Sequence, residues 1–221
     1  MDKKSVAVFD LDGTLLDTLD DITDSLNVIR EKYGISPITR PEVNGMVGNG
    51  LKVLFIKSLK DGENTPNFDK MFEEFVAYYK EHSMIKTGIY EGMPAVLTEL
   101  KKRGVKTAIV TNKNIEAARA MKNELFSDTI DCIYGEDEAH GVNKKPAPDT
   151  VFKALEELKA SKEDAVYIGD SEVDIKTAAN AGLPCLAVSW GFRTKEEQEA
   201  AGGEYFIEKP SDLLDYFISW N

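Results

Sequence analysis

The sequence predicts an α/β protein, with a doubly wound, mostly parallel sheet and a small inserted α-helical domain. Three observations carry this. A first apolar strand stands near the N-terminus, helical periodicity fills the stretch that follows, and from Tyr90 onward short apolar strands alternate with helices. The expected division is 1–15 with 88–221 for a Rossmann-like core and 16–87 for the insertion. A chain of 221 residues that is 42% hydrophobic and 30% charged has room for such a core and a smaller second unit.

The first strand, Val6-Ala7-Val8-Phe9, runs into Asp10-Leu11-Asp12-Gly13-Thr14. Side chains two apart on an extended chain point the same way, so Asp10 and Asp12 face one reacting atom. Gly13 permits a sharp turn whose N–H groups face an anion, and two acids beside an amide nest suit phosphate. Leu19, Ile22, Leu26, Ile29 and Tyr33 then recur at helical spacing, with Gly34 to end the helix. Thr39 and Glu42 have capping-box spacing, Leu51, Leu54 and Phe55 start a second apolar face, and Phe68, Met71, Phe72, Phe75, Tyr79 and His82 form a third. That aromatic stripe reads as the core of a small helical bundle.

Beyond Tyr90 the spacing predicts a helix from about Met93 to Arg103. Strands follow at Lys106–Val110, Cys132–Tyr134, Ala165–Ile168 and Leu183–Val188, with helices between them. Lys101-Lys102-Arg103 is a solvated helix end. Tyr216, Phe217 and Trp220 are expected on an amphipathic C-terminal helix packed on the core.

A net charge of −12 argues against nucleic acid and anionic membranes as partners. No apolar run approaches the length of a membrane span. Cys132 and Cys185 lack CxxC spacing, and the chain starts directly on a core strand without a signal peptide, which together predict a cytoplasmic protein. His82 and His140 have no metal-ligand spacing.

Open parallel sheets bind ligands at the carboxyl ends of their strands. Those ends carry Asp10 and Asp12, then Thr111-Asn112-Lys113, then Gly169-Asp170-Ser171; Lys144-Lys145-Pro146-Ala147-Pro148-Asp149 lies between the last two. Asp170 and Asp174 are four apart at a helix start, which predicts one shared helix face. Four carboxylates on one cleft exceed what one lysine neutralises, so an oxygen-preferring divalent cation is expected, with Mg²⁺ the natural candidate.

In order and spacing these segments resemble the four signature motifs of the haloacid dehalogenase superfamily: Asp10-Leu11-Asp12-Gly13-Thr14, Thr111, Lys145 with Pro146 and Pro148, and Gly169-Asp170-Ser171 with Asp174. The helical insertion after the first motif resembles that family's cap. Within it, Gly48-Asn49-Gly50 is similar to the cap loop of the bacterial phosphoglycolate phosphatase branch.

The resemblance implies a cytoplasmic Mg²⁺-dependent phosphatase acting on a small phosphorylated metabolite, foremost 2-phosphoglycolate, as a monomer or homodimer. It implies that Asp10 is the nucleophile, that Asp12 is the acid and then the base, and that Thr111, Asn112, Gly13 and Thr14 hold phosphoryl oxygens while Lys145 neutralises charge. Asp10, the Asp12 carbonyl and Asp170 would hold the metal, with Ser171 and Asp174 behind them. The cap would hinge near Leu16-Asp17 and Thr87-Gly88. Gly48, Asn49 and Lys52 are candidates for substrate contact, against the ordinary role of a helix lysine as a solvated charge. Arg193, after another strand end, borders the cleft or lies on the surface.

Asp12 opposes dehalogenation, because halide leaves without a proton. Pyrophosphate, a sugar phosphate, a nucleotide and pyridoxal phosphate stay open as substrates, as does a phosphomutase. Outside these enzymes, a response-regulator receiver would leave the long helical insertion unexplained, and an idle binding protein on this fold is the remaining alternative.

Overall fold

The computed structural model describes residues 1–137 and 140–218. It divides into two compact units, one of Met1–Leu16 with Ile89–Asn221 and one of Asp17–Gly88. The crossings between them, β2 (Leu16–Asp17) and β3 (Gly88–Ile89), pair as a two-stranded sheet.

The larger unit is built on β1 (Val6–Phe9), β4 (Lys106–Asn114), β5 (Cys132–Glu136), β6 (Ala165–Gly169), β7 (Cys185–Val188) and β8 (Tyr205–Ile207). They form one sheet of order β5-β4-β1-β6-β7-β8, with parallel pairing throughout. Its helices are α5 (Met93–Lys102), α6 (Ile115–Leu125), α7 (Asp149–Glu157), α8 (Glu172–Ala181) and α9 (Lys195–Ala200). All four residues of β1 and all five of β6 are buried, as strands covered on both faces must be. One face packs Val6, Val8, Val110 and Tyr167 against Val151, Ala154 and Leu155 of α7 and Ala178 and Ala181 of α8. From β1 the chain builds outward to β4 and β5, then returns to the other side of β1 with β6. That reversal of strand order makes the carboxyl ends of β1 and β6 the place where side chains converge.

The smaller unit is helical: α1 (Leu19–Lys32), α2 (Arg40–Asn44), α3 (Leu51–Lys57) and α4 (Phe68–His82). Thr39 and Glu42 form the expected capping box at α2. Phe55 of α3 lies 5.2–5.6 Å, ring centre to ring centre, from Phe68, Phe72 and Phe75 of α4, so the aromatic stripe is indeed core. Buried Asp21 of α1 accepts the backbone N–H groups of Ile85, Lys86 and Thr87 at 2.8–3.1 Å, which fixes the returning strand segment onto the first helix.

Three expectations are corrected. The strand expected to end at Val110 continues to Asn114 with a register shift, because Thr111, Asn112 and Lys113 are buried and paired rather than released into a loop. Asp170 precedes α8 instead of lying on it; Ser171 is the N-cap, and of the two aspartates only Asp174 sits in the first turn. The C-terminal segment is a 3₁₀ helix, Pro210–Tyr216, after which Phe217 is fully buried and bridges to Lys4; Trp220 lies outside the described residues. Among the described residues no helix is long and apolar enough to cross a membrane.

Candidate active site

Alternation along β1 puts Val6 and Val8 into the core and, one step further, brings Asp10 to the same side at the sheet's carboxyl edge. There Lys145 Nζ donates to Asp10 Oδ1 at 2.6 Å, to Asp174 Oδ1 at 2.7 Å and to the Tyr167 hydroxyl at 3.2 Å. Asp174 also takes the Tyr167 hydroxyl on Oδ1, at 3.1 Å, and the Ser171 N–H and hydroxyl on Oδ2, at 3.0 and 2.6 Å. Asp170 takes the Phe192 N–H at 2.7 Å and the Thr14 hydroxyl at 3.2 Å. Asp10, Asp170 and Asp174 are all buried, and each offers an oxygen within 4.8 Å of the others.

This charge distribution is unbalanced. Burial first, and then the Asp174 charge, raise the Asp10 carboxyl well above its ordinary value despite Lys145. The same two causes push Asp170 up to about 7, against the Phe192 N–H and the Thr14 hydroxyl that favour its anion. Burial disfavours the Lys145 cation, but the Asp10 and Asp174 charges outweigh it and raise its pKa well above that of a free lysine. Buried oxygen donors with surplus negative charge are the setting a hard divalent cation relieves, so these carboxylates fit a metal ion.

Glycines permit the crowding. A Cβ on Gly13, where φ is +94°, would lie 2.5 Å from Asp170 Oδ1, and one on Gly191 would lie 2.5 Å from the Gly13 carbonyl and run into the Asp170 side chain.

Asp12 belongs to a second pair. Lys113 Nζ donates to its two carboxylate oxygens at 3.0 and 3.2 Å. Thr111 is buried and accepts the Lys113 N–H at 3.1 Å. The Asn112 side chain clamps the Lys145 peptide, accepting its N–H at 2.7 Å and donating to its carbonyl at 3.1 Å. The Asn112 side chain therefore holds the lysine's backbone.

Gly13 and Thr14 also differ from expectation. Their N–H groups donate to the Leu16 and Leu11 carbonyls at 2.8 and 3.4 Å instead of facing an anion, and the Thr14 hydroxyl orients Asp170. Gly48, Asn49 and Lys52 lie in the helical unit. Gly48 and Gly50 have φ of +112° and +85°, and Lys52, 60% exposed, pairs with Glu63 at 3.0 Å. Arg193 is buried and pairs with Glu172 at 2.9 Å. His82 stacks on Tyr78, and His140 pairs with Asp137.

Sequence reasoning missed Lys113, Tyr167 and Gln198. Gln198 Nε2 ties the Asp170 carbonyl at 2.7 Å to that of Val188 at 2.9 Å. A tyrosine inside the apolar strand Ala165–Ile168 was the available signal for Tyr167, since a buried phenol needs a partner.

A family profile, that of the haloacid dehalogenase-like hydrolases, matches residues 7–188. The chain belongs to the haloacid dehalogenase-like hydrolases. This hydrolase is 32% identical over 210 residues to a phosphoglycolate phosphatase of Aquifex aeolicus, covering 95% of this chain and 94% of that one. It is 27% identical over 210 residues to an N-acetylmuramic acid 6-phosphate phosphatase of Pseudomonas aeruginosa, covering 94% of this chain and 92% of the relative. The crystal structure of a candidate phosphoglycolate phosphatase from Lactobacillus delbrueckii subsp. bulgaricus superposes with a TM-score of 0.87 at 33% identity, covering 96% of this chain and 97% of that one. This haloacid dehalogenase-like hydrolase is thus an enzyme, a phosphatase.

Proposed function

We propose that the enzyme is a Mg²⁺-dependent phosphomonoester hydrolase that works through an aspartyl-phosphate on Asp10, with 2-phosphoglycolate as its substrate. The observation that carries the reading is buried Lys145 bridging Asp10 and Asp174 beside Asp170, a site built around one nucleophilic carboxylate with its charge managed from two sides.

An Asp10 oxygen attacks phosphorus, the bond from phosphorus to the leaving oxygen breaks, and Asp12 gives that oxygen a proton. Asp12 then takes a proton from water as the water attacks the phosphorus; the bond between phosphorus and Asp10 breaks, and phosphate departs. Lys145 neutralises Asp10 and the transferring group, and the Thr111 hydroxyl is within the same strand end to bind a phosphoryl oxygen. Asp10, the Asp12 carbonyl and Asp170 would hold Mg²⁺, which supplies further neutralisation of phosphoryl charge. Gly48, Asn49 and Lys52 are candidates for reading the rest of the substrate.

A second reading keeps this chemistry and changes the substrate; the sugar-acid phosphatase among the relatives favours it. Phosphate release with Mg²⁺ and with EDTA decides, across 2-phosphoglycolate, N-acetylmuramic acid 6-phosphate, pyrophosphate, other sugar phosphates, nucleotides and pyridoxal phosphate. The leading reading expects a kcat/KM of ~10⁴ M⁻¹s⁻¹ or more for 2-phosphoglycolate alone, the lower end of ordinary enzyme efficiency. Greater efficiency on another member of the panel reassigns the substrate, and metal-independent turnover removes Mg²⁺. Asp10→Asn should abolish turnover while the chain stays folded, as far-UV circular dichroism would show, and an active variant would end the aspartyl-phosphate mechanism.

A further inference from the structure

Two buried lysines face the two aspartates of the first motif, one each. Lys145 meets Asp10, and Lys113 meets Asp12 through both carboxylate oxygens. The Lys113 side chain is 4% exposed and that of Asp12 is 23%, so the cation is the inner member and the carboxylate the outer. Exposed ion pairs contribute little, but a buried ammonium is costly and persists where its partner and geometry are fixed.

The Lys113 backbone is fixed as well. Its N–H donates to Thr111 Oγ1 at 3.1 Å, and a Cβ on Gly135 of β5 would lie 2.5 Å from the Lys113 carbonyl oxygen. The neighbouring strand carries no side chain where Lys113 passes. A lysine held this way restrains a partly exposed carboxylate that would otherwise sample several rotamers.

We propose that Lys113 is a positioning residue for Asp12. Through both oxygens it holds the carboxylate in one orientation, so that the group is in place for the leaving oxygen as the phosphorus–oxygen bond breaks. The inference rests on the reading of Asp12 as proton donor, and it assigns a task to the one charged residue of Thr111-Asn112-Lys113.

The test is the leaving-group dependence of kcat/KM, which covers the steps up to departure of that group. An alkoxide needs a proton to leave and nitrophenolate does not, so each enzyme is assayed on p-nitrophenyl phosphate and on the best alkyl phosphate of the panel. Lys113→Met should lower the alkyl-to-nitrophenyl ratio by ~10-fold or more, and Lys113→Arg should restore it to within ~3-fold of wild type, part of the range that acid catalysis supplies. The ratio is taken within one preparation, so a partly misfolded variant still reports. Equal losses on both substrates in Lys113→Met would overturn the proposal while leaving Asp12 its task. Asp12→Asn is the control: if it too shows no leaving-group selectivity, the reading of Asp12 falls and the proposal with it.

Discussion

Tyr167 shows how much one atom does in this site. Its hydroxyl reaches Lys145 and Asp174 at 3.2 and 3.1 Å, and the Val110 carbonyl at 3.4 Å, with no exposure to solvent. Tyr167→Phe should cost about 0.5–1.5 kcal/mol, the ordinary net value of such bonds, because each partner keeps other contacts. Denaturant titration would measure the stability change. Steady-state assays should show a lower kcat at unchanged KM, since the phenol touches the lysine rather than the substrate; a raised KM alone would contradict this. The residues proposed for the chemistry stand out in the sequence because carboxylates, a threonine and a lysine at strand ends are conspicuous. The residues that hold them do not. Nothing local in the sequence marks the Asn112 side chain for the Lys145 backbone, and a phenol in an apolar strand looks like core.

At the scale of elements, periodicity located the helices of the insertion to within a residue or two, since aromatic and aliphatic stripes bury as they repeat. Strand ends were less legible. Thr111-Asn112-Lys113 is polar and reads as a loop, yet all three are buried: the Thr111 hydroxyl takes the Lys113 N–H, the Asn112 side chain bonds the Lys145 backbone, and the Lys113 ammonium bonds Asp12. Tertiary pairing extended β4 against the local polarity signal. Asp21 is a comparable case in the helical unit, an acid in the first turn of α1 that takes three N–H groups from residues 85–87. Asp21→Ala would strand those donors and should destabilise the protein by about 1–3 kcal/mol. Circular dichroism in a urea titration would show it as a lower midpoint, and an unchanged midpoint would mean the segment holds without its anchor.

Over the whole molecule, both cysteines are free, Cys132 buried in the sheet and Cys185 partly buried. Burial pushes the Cys132 thiol up to about 12 and raises Cys185 further still. Neither should react with an aromatic disulfide reagent at pH 8 until the chain unfolds, after which both should react. The sign for stability follows from the raised folded-state values. The unfolded thiols lose protons from about pH 9 upward while the folded ones keep theirs, so stability should decline with rising pH above that point. A thermal-melt series from pH 8 to pH 10.5 checks it.

Asp174 joins these scales. It closes the capping box that starts α8, and with its other oxygen it takes the Lys145 ammonium. Fraying of one helical turn therefore dismantles the charge arrangement, and loss of the ammonium loosens the turn. The amide protons of Ser171 and Asp174 become native reporters of the site: in wild type they should exchange slowly, and in Lys145→Ala they should exchange faster than those at the far end of the same helix.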